Sequence, residues 1–317
     1  MKRMSKNQGA AGEPRWGQKR RLEFIDFRLR WNRTVNRGEL VEFFRISIQQ
    51  ASADLAHYSR LAPRNMEYDR SLKTYRATSD FSPVINRDDA QTYLSELLGL
   101  TVGTLAPSAS FISWKPPHDI VQYPARPIDT DTLLRLIWAI RDCDELMVSY
   151  QSMRRATPST RWITPHALAF DGHRWHVRAW CQETREFRDF VISRIQQIET
   201  SRKATKSAEA DSWWNTYIDV LIKPREGLTV AQRRAIETDF DMIRGRLKLT
   251  CRKALAFYVL RQMQVDRPPD LSPAAQPLEL MNRDELTDVI VAAQKTPEIP
   301  PNSHIGRLEK NCERPQA

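Results

Sequence analysis

Residues 165–181 read PHALAFDGHRWHVRAWC, and the fold of the middle of the chain turns on how this stretch is read. Arg174, His176 and Arg178 alternate with Trp175, Val177 and Ala179. Period-two alternation marks a β-strand with one buried face, and Asp171-Gly172 just ahead of it is a two-residue turn of the kind that closes hairpins. The pattern predicts a hairpin whose second strand sends Trp175, Val177 and Ala179 into a core and carries a row of cations on its other side. Such a row is either a solvated sheet face or a shelf that meets an anion.

Around this hairpin the sequence predicts further strands at 146–152, 160–170 and 187–199, preceded by a helix at 131–144. Residues 200–212, TSRKATKSAEADS, read as a polar linker. Beyond it come a strand (YIDVLIKP), a helix at 229–239, a strand at 246–251 and a helix at 252–263, an order that suggests a small α+β domain. One more helix is expected at 283–294. The ends, 1–15 and 297–317, read as disordered tails.

The chain carries a net charge of +10, and residues 1–80 hold 17 Lys plus Arg against 9 Asp plus Glu, so most of the surplus sits in the first quarter. A localised basic segment is what a phosphate-contacting part requires. Leu22, Phe24, Ile25, Phe27, Leu29 and Trp31 predict a helix over 16–31. After a break at 32–37, helices are expected at 39–44 and from Ser47 to Tyr58, with Ser47 as cap and Ala51, Leu55 and Tyr58 as the buried stripe. Two short helices joined tightly fit a helix-turn-helix, whose second helix presents its first turns to the major groove. Those turns carry Ser47, Gln49, Gln50 and Ser52; Gln can bond adenine bidentately and hydroxyls suit bases or phosphates. A basic hairpin follows, with strands at 66–68 and 72–77 and with Arg64, Arg70, Lys73 and Arg76 along it. This is a wing, and wings contact the DNA backbone. A helix at 87–98 completes a winged helix-turn-helix domain at 16–100, and five prolines mark 101–130 as an extended connector.

Four scattered cysteines without a CxxC pair argue against a zinc site and against a secreted disulfide framework. His166, His173 and His176 cluster in sequence, but no metal-ligand spacing appears, so no metal is expected. No phosphate-cradling, nucleophile-elbow or dinucleotide-binding motif is present, which argues against an enzyme and leaves no catalytic residue to nominate. The basic N-terminus is followed by no apolar segment, and no run approaches the ~20 apolar residues that span a bilayer. A cytoplasmic protein without membrane contact is expected.

The PHAL, FDG, RWHVRA and FRDFV segments, in this order, resemble the signature of the WYL-domain transcriptional regulators. The Trp-Tyr-Leu tripeptide that names the family corresponds to Trp175, His176 and Val177, so only its Trp is kept. The layout is most similar to the repressors of bacterial anti-phage defence loci of the BREX and CBASS type. The resemblance implies a multidomain α+β chain: a winged helix-turn-helix, a central Sm-like β-barrel at 131–200 and a C-terminal α+β dimerisation domain with tail helix at 213–296. It further implies a homodimer that binds an inverted repeat in double-stranded DNA and senses a nucleotide or nucleic-acid ligand, with no resident cofactor. Under it Tyr150, Ser152, His166, Arg174, His176, Arg178, Arg188 and Arg194 become candidates to line an anion pocket, Arg being suited to phosphate by its planar fork. Against that stands pairing of these Arg with Asp171, Glu183, Glu186 or Asp189. The rival function is an RNA-binding accessory protein that uses the Arg-lined barrel, and a third is a constitutive regulator whose pocket has lost its ligand.

Overall fold

The computed structural model describes residues 16–85, 90–121 and 126–294. The tails expected at 1–15 and 297–317 lie outside these residues, as do Arg87, Asp88 and Asp89 at the start of the helix expected at 87–98. The chain forms two compact units that meet in sequence at Gln122 and Tyr123.

The first unit begins with α1 (Trp16–Asn32), β1 (Thr34–Val35), α2 (Arg37–Phe44) and α3 (Ile48–Leu61). It continues with β2 (Met66–Asp69), β3 (Thr74–Ala77) and α4 (Ala90–Val102). α1 is buried on most sides, with Leu22, Phe24, Ile25, Phe27 and Leu29 in the core and even Asp26 and Arg28 covered. Burial of Asp26 is tolerable because its carboxylate accepts from the Tyr58 hydroxyl and from the backbone N–H of Val84 and Ile85. The break read at 32–37 contains β1, which pairs with β3 and makes the wing a three-stranded sheet in the order β1-β3-β2. Asn36 and Glu39 form a capping box at the start of α2, and Arg45 in the left-handed region ends it. Ser47 caps α3 by accepting from Gln50 N–H. Within the stretch read as a connector, residues 101 and 102 complete α4, and Phe111 and Ile112 are buried in this unit's core.

In the second unit α5 (Thr130–Asp142), capped by Asp129, lays Leu136 and Ala139 on a sheet built from β4 (Asp144–Tyr150), β5 (Ser159–Phe170), β6 (Trp175–Cys181), β7 (Glu186–Val191) and β8 (Ile195–Lys203). Strand order is β7-β6-β5-β4-β8, antiparallel throughout. The single strand predicted over 187–199 is broken at Ile192–Arg194 by a 3-10 turn, which carries the chain from one edge of the sheet to the other. Among the described residues no ladder joins β7 to β8, so the sheet is open and the closed Sm-like barrel is not found.

The remainder of this unit comprises α6 (Ser212–Asn215), β9 (Tyr217–Pro224), α7 (Val230–Asp239), β10 (Leu247–Arg252), α8 (Ala256–Gln262), β11 (Leu278–Leu280) and α9 (Thr287–Gln294). β9 is the centre of a three-stranded sheet flanked by β10 and β11. Val220 and Ile222 from β9 meet Ala256, Leu260, Leu278, Leu280, Leu286 and Val289 in a separate core. The sequence reading missed β11 and α6, the second because it opens at the end of the supposed linker.

Candidate functional site: a reading helix and a cationic cavity

In the first unit, Ser47, Gln49 and Gln50 are exposed in the first turn of α3, with Ile48 beside them. Ser52 is half-buried and engaged: its hydroxyl donates to Ile48 O at 2.8 Å and accepts from Arg37 Nη1 at 3.3 Å. The sequence reading did not nominate Arg37. It is exposed, and its tie to Ser52 sets a guanidinium beside the helix where only a hydroxyl was expected. On the wing, Arg64, Arg70, Lys73 and Arg76 are all exposed. The loop between β2 and β3 is held by Asp69, which accepts from Ser71 N, Ser71 Oγ and Leu72 N, and Lys73 follows at φ 52°. Hydrogen bonds from Ser71 and Leu72 lower the Asp69 pKa to about 2. Arg76 leans on that carboxylate at 3.4 Å, whereas Arg70 and Lys73 flank it in the loop.

In the second unit the hairpin of residues 165–181 forms, with its turn one residue later than read. Gly172, at φ 90°, and His173 are the central pair, and Asp171 accepts from His173 N at 2.8 Å and from Arg174 N at 2.6 Å. Glycine suits Gly172 because a side chain is strained at that φ. The faces of β6 also differ from the prediction. Val177 and Ala179 are buried as expected, but Trp175 is 48% exposed and packs on Phe170 at 5.1 Å between ring centroids. Arg174, His176 and Arg178 do share the other face, yet all three are buried.

What covers that face comes from far along the chain. Asp211, the cap of α6 in the stretch read as a linker, is 2% exposed and takes Arg178 Nε at 2.7 Å and Nη2 at 3.2 Å. Arg178 Nη1 also reaches Asp189 on β7 at 3.2 Å, and Tyr258 on α8 donates its hydroxyl to the other oxygen of Asp189 at 3.0 Å. Burial alone would raise the Asp211 carboxyl, but hydrogen bonds from His166 and Arg178 outweigh it and hold the group well below the usual carboxylate range. Asp171 behaves the same way: burial is outweighed by hydrogen bonds from His176 and the turn backbone. Burial and the neighbouring Asp189 charge push the Tyr258 phenol up.

These residues border a cavity of about 810 Å³. Of the eight predicted ligand residues, Tyr150, Ser152, Arg174, His176, Arg178 and Arg188 line it, and His166 and Arg194 do not. A β-bulge explains the first exception: Pro165 pairs with Ala179 and Ala167 with Arg178, so His166 drops out of the ladder and turns to Asp211 at 3.0 Å. The 3-10 turn explains the second, because Arg194 no longer shares the strand face of Arg188. Arg174 and His176 bind Asp171, and Arg188 lies 3.4 Å from Glu186. Pairing with carboxylates therefore accounts for much of what looked like an anion shelf.

The wall also holds Arg154, Arg155, Arg161 and Lys253, which were not nominated, so seven Lys and Arg face four Asp and Glu across the space. Three buried polar atoms on this wall have no hydrogen-bond partner: Arg161 Nε, His176 Nδ1 and Thr184 Oγ1. Each such orphan costs about 1–3 kcal/mol unless something fills its bonding position. Trp180, Phe187, Trp213 and Phe257 add flat aromatic surface. Among the described residues no three His, Cys, Asp or Glu gather as a metal site, and no helix is long and apolar enough to cross a membrane.

Comparison with known proteins matches this arrangement to three family models in chain order. Residues 17–99 match the BrxR transcriptional regulator winged helix-turn-helix domain, 131–200 the WYL domain, and 217–286 the BrxR transcriptional regulator C-terminal dimerization domain. Relatives named DNA-binding transcriptional repressor CapW align over most of the chain. The Escherichia coli (strain KTE188) protein is 43% identical over 86% of this chain and 91% of its own length. The Pseudomonas aeruginosa protein is 42% identical over 87% and 93%, and that of Stenotrophomonas maltophilia 44% identical over 80% and 85%. A solved structure of proteasome accessory factor B/C of Arthrobacter aurescens covers 88% of this chain at 15% identity and TM-score 0.27; the match spans 46% of that structure, and at this score it establishes no shared arrangement. The three domains in this order, and the extent of the identity to CapW, show that the chain belongs to the BrxR and CapW family of WYL-domain regulators.

Proposed function

We propose that this chain is a sequence-specific DNA-binding repressor, acting as a homodimer on an inverted repeat in the cytoplasm and controlling an anti-phage defence operon. The observation that carries the reading is the exposed first turn of α3, with Ser47, Gln49 and Gln50 set on a buried helical core beside a wing bearing Arg64, Arg70, Lys73 and Arg76. One recognition helix reads only a few base pairs, so specificity requires two copies spaced by about one helical turn or a multiple of it. The match of residues 217–286 to a dimerisation domain supports that pairing.

The cavity is the proposed sensor, and its ligand a nucleotide or short nucleic acid. An excess of Arg and Lys suits phosphates, the aromatic wall suits bases, and the orphan atoms Arg161 Nε, His176 Nδ1 and Thr184 Oγ1 offer unspent hydrogen bonds. Arg178 and Tyr258 connect the β6–β7 wall to α6 and α8, so an anion that competes with Asp189 or Asp211 for Arg178 would loosen the joint with the dimerisation domain. A ligand changes DNA binding only if it favours one arrangement over the other.

The test is a gel-shift titration of the full chain against DNA upstream of its own gene, with scrambled duplex and matched RNA as competitors, near physiological salt. Specific retention of the upstream duplex supports the reading. Equal binding to scrambled duplex refutes it, and preference for RNA transfers the function to the cavity.

A further inference from the structure

The side chain of Gln50 does not hang free from α3. Its Nε2 donates to Asp54 Oδ1 at 3.1 Å, one helical turn on. Asp54 is fully buried, and Arg21 from α1 closes on it with Nε at 2.6 Å from Oδ2 and Nη2 at 3.4 Å from Oδ1. A carboxylate paired with a guanidinium only accepts hydrogen bonds. The amide of Gln50 must therefore turn its NH₂ toward Asp54, which leaves Oε1 as an outward acceptor together with the second N–H.

A free glutamine amide can flip and offer either a donor or an acceptor to a base edge. Held in this way, it keeps the acceptor Oε1 in one place and the remaining N–H in another, so a base that presents a second acceptor to Oε1 is disfavoured. In the major groove the amino groups of adenine and cytosine donate, whereas guanine O6 and thymine O4 accept. The second N–H of Gln50 additionally matches adenine N7. We propose that Asp54, braced by Arg21, is a positioning residue for specificity: it fixes Gln50 so that the base read at that step carries an amino group, with adenine first and cytosine second. The inference rests on α3 being the DNA-reading helix. It adds a residue buried in the domain core, which never touches DNA, to the determinants of the operator.

The test uses the full chain and the upstream duplex substituted one base pair at a time. Gln50→Ala identifies the position whose preference depends on Gln50. At that position the native chain is expected to favour amino over keto bases about tenfold, the scale of one good base contact, and Asp54→Asn is expected to reduce the ratio to near one. In a Gln50→Ala background, Asp54→Asn should change nothing further at that position, because its effect passes through Gln50. A loss of preference spread over all positions would instead mark Asp54 as merely structural and overturn the proposal. Arg21→Gln/Asp54→Asn neutralises both members of the buried pair together, so no charge is left buried alone, and it covers the case in which Asp54→Asn does not fold. The Asn side chain can turn either its oxygen or its NH₂ to Gln50, so the amide is no longer held one way and the preference should fall there too. Retained preference in Asp54→Asn or in the double variant overturns the proposal while leaving the DNA-reading role of α3 standing. A native chain that binds every duplex alike removes both.

Discussion

Replacing Arg178 with Met isolates the buried charge cluster between the five-stranded sheet and the C-terminal domain. Arg178 is the shared cation of Asp189 and Asp211, bonded to the first at 3.2 Å and to the second at 2.7 and 3.2 Å. Methionine fills much of the same space but leaves two carboxylates without their guanidinium, one of them 2% exposed. Removing one partner of a buried pair costs about 3–5 kcal/mol. Asp211 keeps His166 and the Trp214 N–H, and Asp189 keeps Tyr258, so the lower end, about 3 kcal/mol, is expected. With a denaturant slope of about 2–3 kcal/mol per molar urea, the midpoint falls by about 1–1.5 M.

The loss depends on pH with a definite sign. In the native chain the folded-state pKa of Asp211 lies below its unfolded value. Its ionised form thus adds stability that is present above about pH 4, the unfolded value, and is lost as pH falls toward the folded value. In the variant the Arg178 hydrogen bond and charge are gone while burial remains, so the Asp211 pKa rises and protonation relieves the buried charge. The gap between native and variant should narrow from pH 7 to pH 4. Urea titrations of both proteins at the two pH values, followed by tryptophan fluorescence, measure it, with Trp213 and Trp214 lying next to Asp211 in sequence. An unchanged midpoint at pH 7, or a gap equal at both pH values, would refute the account of this cluster.

Three other outcomes are expected. Arg70→Ala or Lys73→Ala should weaken binding to every duplex alike and lower the salt slope by about one, read from binding titrations across salt concentrations. Phe111→Ala removes a ring that lies 5.3–6.3 Å from those of Phe24, Phe27, Phe43 and Phe44, and should destabilise the N-terminal unit by about 3–5 kcal/mol in thermal or urea unfolding. Arg161→Met should weaken capture of a labelled oligonucleotide in the cavity at least tenfold, about 1.4 kcal/mol, while leaving operator binding without ligand unchanged; unaltered capture would remove Arg161 from the site.

Local patterning carried the reading where the determinant lay nearby. The Ser47 cap and the Ala51, Leu55 and Tyr58 stripe located α3, and the alternation in 174–179 placed Arg174, His176 and Arg178 on one face of β6. Period two shows which side chains share a face but not what lies on that face. The cover for β6 is Asp211 and Tyr258, distant in sequence, and Asp211 sits among Ser, Lys and Ala in a segment whose composition reads as linker. His166 shows the limit within one strand: a bulge in β5 turns it out of the ladder, and the one local sign is Pro165, a residue that central strands hold essentially only at bulges. Arg154 and Arg155 did have a signal, the basic cluster MRRATPSTR opposite the predicted hairpin, which strand periodicity alone passes over. Alternation and hydrophobicity place Trp175 inside, but the sheet leaves that end of its face open beside Phe170.

The burial of Phe111 and Ile112 in the first unit bears on how such regulators are assembled by recombination. A gene fusion that joined this winged-helix unit to a new domain at residue 100 would leave an aromatic socket between α1 and α2 without its plug, and the graft would expose the rings of Phe24, Phe27 and Phe43. A junction after Ile112 carries the plug along. Swaps that succeed should therefore have their seams beyond Ile112, and the stretch around Phe111 should travel with the winged-helix unit rather than with the WYL domain.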